Sequence, residues 1–179
     1  MFWQTYRHCL QTSLFVTLSR IFDRARDAHT IHTLVSVTLA NLDLFSAAAL
    51  GLRKWNGGPK PWWFDEYIAK AWIPASPDSL RHFQTELAPR KERFEKIYRP
   101  IRHNIYAHRL MSDAQAGAQL FGDTSRDEVG AILDFLHDLI ETIRELYING
   151  HEPELGKRDF REDNQRIRDS VARVLRSLH

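Results

Sequence analysis

The sequence predicts an all-α protein, a four-to-five-helix bundle with an additional C-terminal helix. Three observations predict it. Apolar residues recur every three or four positions through most of the chain, and strand-like alternation is absent. Glycine and proline gather at a few places, above all Gly57, Gly58, Pro59 and Pro61, and cut the pattern into segments. At 179 residues, with 43% hydrophobic and 27% charged content, the chain can bury one substantial core.

The elements follow in order. Leu14, Leu18, Ile21 and Phe22 place a first helix at residues 5–26, with Arg20, Asp23 and Arg24 off its apolar stripe. A second helix is expected over 30–52, its buried side marked by Ile31, Leu34, Val35, Leu42, Phe45, Ala49 and Leu52. Residues 53–77 form a Trp-rich insertion holding Trp55, Trp62, Trp63 and Trp72, with a short helix over 63–71. Its tryptophans suit either a platform on which bases stack or a lid closing one end of the bundle. The third helical region starts at Asp78 and keeps its period through Leu80, Phe83, Leu87, Phe94, Ile97, Ile101 and Ile105. Pro89 and Pro100 should each kink or divide it. After a loop at 111–124, Ser125 and Glu128 have the spacing of a capping box. They open a fourth main helix whose core side is Val129, Ile132, Leu133, Leu136, Ile140, Ile143 and Tyr147, stopped by Asn149 and Gly150. Residues 1–150 are thus read as the bundle, and 151–179 as a linker and a basic amphipathic helix over 160–178. The stripe of that last helix is Ile167, Val171, Val174 and Leu178, suited to docking on the bundle or on a second copy.

A net charge of +2 excludes a bulk polycation. The charge is uneven, however: residues 98–110 contain no acid, which favours transient contact with an anion. The single cysteine, Cys9, excludes an internal disulfide and a multi-cysteine zinc site, and favours a reducing, cytoplasmic setting. Residues 1–18 lack the long apolar core and small-residue cleavage site of a signal peptide, and no run is long enough to span a bilayer. No membrane partner and no cofactor are expected.

Residues 98–110 read YRPIRHNIYAHRL. Arg102 can hold a phosphate with a planar, permanently charged fork, and His108 can move a proton near neutral pH. Arg99, His103, Asn104, Tyr106 and Arg109 are candidates for binding or orienting a substrate. Helix spacing puts Ile101, Asn104, Ile105 and His108 on one side, and Arg102, Tyr106 and Arg109 on another. Arg and His with four to six residues between them is a short pattern that recurs elsewhere, as in Arg24 with His29 and Arg144 with His151. A structural role, in capping, ion pairing or a dimer seam, competes with the catalytic one. Two metal-compatible spacings compete as well. They are His29 with His32, which reads more readily as a polar helix start, and the row Asp134, His137, Asp138 and Glu141, which reads more readily as a solvated face.

The run R-H-N-I-Y-A-H resembles the motif of HEPN domains, in which an arginine is followed by two polar residues, any residue, an aromatic, alanine and histidine. The likeness is to the abortive-infection proteins of phage defence. The upstream L-S-R-I-F-D, residues 18–23, is similar to the same group. The resemblance implies a metal-independent endoribonuclease working as a homodimer with a composite active site. Arg102 would bind the scissile phosphate, and His108 would serve as general base or acid. RNA would be cleaved by 2′-hydroxyl attack. A cognate antitoxin or nucleotidyltransferase is a further implied partner. Some toxins of this kind carry a modifiable tyrosine two residues after the histidine; here Leu110 stands there, which argues against that form of silencing. The alternative reading is a non-catalytic HEPN-like module that binds RNA or protein.

Overall fold

A computed structural model describes residues 2–23, 29–55, 57–73, 75–107, 121–151, 154–156 and 159–176. Among these there is no strand. The helices are α1 (Phe2–Ile21), α2 (Ile31–Ala40), α3 (Ala47–Lys54), α4 (Phe64–Ala71), α5 (Pro77–Arg93), α6 (Arg126–Asn149) and α7 (Arg161–Arg176). The all-α expectation therefore holds.

Side chains set several boundaries. Thr30, Ser46, Ser76 and Ser125 each accept the N–H three residues on, starting α2, α3, α5 and α6. Ser125 thus supplies half of a capping box, while the Glu128 carboxylate goes to Arg93 instead. Gly150 ends α6 in the left-handed region at φ 70°, and its carbonyl accepts the Ile73 N–H at 2.8 Å.

Phe15 and Leu18 of α1, Phe22 just past its end, Val35 of α2, Leu80, Phe83 and Leu87 of α5, and Ile132, Leu136, Leu139, Ile143 and Leu146 of α6 share one core. A smaller cluster of Leu50, Phe64 and Ile68 joins α3 to α4, with Trp72 packed against it. Trp72 Nε1 donates to the Phe45 carbonyl at 2.8 Å, so this tryptophan closes the end of the bundle. Trp62, in contrast, is 90% exposed. Arg53 locks α3 to α6, donating to the Tyr147 carbonyl and lying 4.0 Å over the Tyr147 ring.

Several expectations need correction. The helix expected at 30–52 is broken into α2, a 3₁₀ turn (Leu42–Phe45) and α3. Asn41 Nδ2 bonds back to the Val37 carbonyl and Ser46 caps the next helix, so local polar bonds replace helix continuity. The break turns Leu42 and Leu52 out of the core, the latter to 70% exposure. Leu34, Leu133, Ile140 and Tyr147 are also exposed, because the apolar arc of each helix is wider than its neighbours cover. The first helix begins earlier and ends sooner than expected; the last starts one residue later than expected, and its expected end at 178 lies outside the described residues. Ile167 and Val171 of α7 lie exposed.

The third helical region is not divided by its prolines. After α5 it continues through a wide π turn (Phe94–Tyr98), a short α turn (Arg99–Ile101) and a second π turn (Arg102–Ala107). A proline ring strikes the carbonyl four residues back, which for Pro100 is that of Lys96. The first wide turn contains this carbonyl and opens the spacing, with the Arg99 N–H bonded to the Phe94 carbonyl. The result is a continuous, locally distorted rod from Pro77 to Ala107.

Candidate functional site

The last turn of α1 and the distorted part of the rod meet face to face. Phe22 stacks on Phe94 with ring centroids 4.9 Å apart and planes 13° from parallel. Phe15 lies against Tyr98, one turn before Arg102. These contacts bring residues 18–23 beside residues 99–102, two stretches far apart in the chain. Between them lies a groove of about 170 Å³, lined by Ser19, Arg20, Asp23, Arg99 and Arg102 over a floor of Val16, Phe22 and Phe94.

Its charge is lopsided. Three guanidiniums line it against the one carboxylate of Asp23. Arg99 donates to Glu95 Oε2 at 2.6 Å and is partly neutralised there. Arg102 is half-buried and Arg20 exposed; among the described residues neither takes part in an ion pair. Ser19 Oγ is buried and has no hydrogen-bond partner among the described residues. Basic side chains, a buried hydroxyl and an apolar floor suit an anionic group held by its charge and oxygen atoms.

Beneath the groove, Tyr98 is fully buried, and burial, with Glu128 nearby, pushes its phenol pKa up. Arg93 meets both Glu128 oxygens, Nη2 at 3.0 Å, and holds that carboxyl below its usual range. The pair ties the rod to the first turn of α6. Neither residue lines the groove.

Of the residues singled out from sequence, Arg99 and Arg102 line the groove. His103 is exposed and Asn104 half-buried, and neither lines it. Tyr106 falls in the second π turn. His108 and Arg109 lie outside the described residues. Sequence reasoning missed Ser19 and Arg20 as site residues; the available signal was the segment L-S-R-I-F-D. Asp134, His137, Asp138 and Glu141 do not gather into a group that could hold a metal. His137 stacks on Phe160 at 4.3 Å and Asp138 turns to the Gly156 N–H at 2.5 Å. His32 packs edge-on to Phe22. Among the described residues no group of three His, Cys, Asp or Glu could hold a metal ion, and no helix is long and apolar enough to cross a membrane.

A family model described as AbiU2, of the HEPN class, matches residues 1–172. No curated protein and no solved structure matches the chain.

Proposed function

This chain belongs to the AbiU2 family of HEPN domains, an abortive-infection family, and on that basis we propose that it is a metal-independent endoribonuclease of bacterial phage defence or of a toxin–antitoxin pair. The observation that carries the reading is Arg102, presented by a distorted helical turn on a basic groove with Arg20 and Arg99. π turns gather at functional sites because they re-aim side chains out of helical register.

In this mechanism the Arg102 fork grips the non-bridging oxygens of the scissile phosphate and stabilises the charge that builds on them. His108 takes the proton of the ribose 2′-hydroxyl. The 2′-oxygen attacks phosphorus, the bond to the 5′-oxygen breaks, and the leaving oxygen is protonated, for which the second copy's His108 is available. The products are a 2′,3′-cyclic phosphate and a free 5′-hydroxyl. Two copies supply the two histidines, so the active unit is a homodimer with a shared cleft. An antitoxin would silence it by covering the groove. The second reading, an RNA-binding or protein-binding module without catalysis, uses the same basic groove and lacks the cleavage.

Arg102→Ala and His108→Ala should each lower RNA cleavage by about 10²–10⁴-fold in chelator-containing buffer. Circular dichroism and sedimentation should show the fold and oligomeric state of each variant unchanged. Wild type that binds RNA and leaves it intact would establish the binding-module reading instead.

A further inference from the structure

The groove has two sides, and the motif accounts for one of them. The rod contributes Arg102 and Arg99, but Arg99 is engaged by Glu95 at 2.6 Å. The α1 side contributes Arg20 and Ser19, which no sequence motif assigned to the site. Arg20 and Arg102 flank the same space, each outside any ion pair among the described residues, and the buried Ser19 hydroxyl lacks a hydrogen-bond partner among them. Unmet buried hydroxyls are uncommon in folded proteins, and an anion oxygen is a natural acceptor for one. At about 170 Å³ the groove is smaller than the roughly 300–1,000 Å³ of a pocket that encloses a whole small ligand. It suits one charged group of a longer chain.

We propose that Ser19 and Arg20 on α1, together with Arg102 on the rod, form a phosphate-binding subsite for single-stranded RNA. The two guanidiniums grip one phosphate from opposite walls, and the Ser19 hydroxyl donates to one of its oxygens. The RNA identity of the ligand rests on the ribonuclease reading above. Arg99 becomes a brace that fastens the wide turn through Glu95, not a substrate contact. A simpler role for Arg20 is complementing the negative end of the α1 dipole, since it lies in the last turn of that helix. That role needs only a positive charge, so Arg20→Lys separates the two.

The test uses a short, dye-labelled 2′-O-methyl oligoribonucleotide of mixed sequence. Its 2′-oxygen is blocked, so binding is read without cleavage. Fluorescence anisotropy is followed across a salt series, with melting curves run alongside. Arg20→Ala should weaken binding about tenfold and reduce the slope of log affinity against log salt by about 0.7, one phosphate contact. Arg20→Lys should keep wild-type melting and slope yet bind several-fold more weakly, having lost the fork. Ser19→Ala should weaken binding with the slope unchanged, and Arg99→Ala should leave the slope at its wild-type value. Wild-type affinity and slope in both Arg20 variants would overturn the subsite while leaving the nuclease reading intact. A wild-type protein that fails to bind the oligonucleotide, yet cleaves unmodified RNA, would likewise overturn the subsite alone. Neither binding nor cleavage by wild type would overturn both.

Discussion

Glu128 holds the rod in place through Arg93, and the geometry makes its contribution depend on pH. The carboxyl is held below its ordinary value of 4.5, chiefly by the Arg93 hydrogen bond. A depressed carboxyl contributes stability that is fully present above the unfolded value and disappears as pH falls through the folded one. Wild type should therefore melt above Glu128→Gln near neutral pH, and the gap should close as pH drops below 4.5. Melting curves taken between neutral pH and pH 3 check this; a gap that persists at the acid end would contradict it. Glu128 pushes the Arg93 guanidinium further up, so it stays charged and adds no change in that range. Arg20 illustrates what one residue hides. The segment L-S-R-I-F-D around it was a signal, but nothing in the chain shows that it faces Arg102; that follows from the packing marked by the Phe22–Phe94 stack.

Among the helices, the end of α6 is the most constrained point outside the groove. A Cβ on Gly150 would lie 2.7 Å from Leu50 Cδ2 and 3.2 Å from the Trp72 backbone, at a positive φ. Gly150→Ala should cost more than about 1 kcal/mol, measured by denaturant unfolding, since both strain and contact oppose it. Gly57, also at positive φ but with open space around it, should be affected by strain alone. The Asn149–Gly150 stop and the Gly/Pro cluster after α3 were readable because they act through their own backbone, and the Ser125 start because its side-chain cap coincides with the onset of an apolar period. The break between α2 and α3 was not. Asn41 and Ser46 end and restart a helix with side-chain hydrogen bonds, and the apolar period runs straight across them. The wide turns were half readable: Pro100 announced a distortion, but whether a rod bends, splits or widens depends on what packs around it. Phe94, Tyr98 and Ile101 are all buried, which holds the rod continuous.

For the molecule as a whole, periodicity was enough to give the class and most of the core, since each helix buries one stripe. It overestimated burial at Leu133, Ile140 and Tyr147, which extend the apolar arc of α6 past the neighbours that cover it. The site was legible on the rod and not on α1, because a groove shared by two distant segments exists only after they pack. The shared-cleft proposal makes a prediction for mixed dimers. A wild-type chain paired with an Arg102→Ala/His108→Ala chain lacks the second histidine, so this mixed dimer should cleave far below half the wild-type rate. A mixed dimer verified by mass that keeps half the wild-type rate would contradict the shared cleft. The most direct measurement compares one RNA with a copy carrying a single 2′-deoxyribose at the cut site, each incubated with wild type and with Arg102→Ala in chelator. The account predicts that wild type cuts the all-ribose strand to a 2′,3′-cyclic phosphate end, spares the deoxy position, and loses cleavage with Arg102. Cutting at the deoxy position, or full activity in Arg102→Ala, would contradict it.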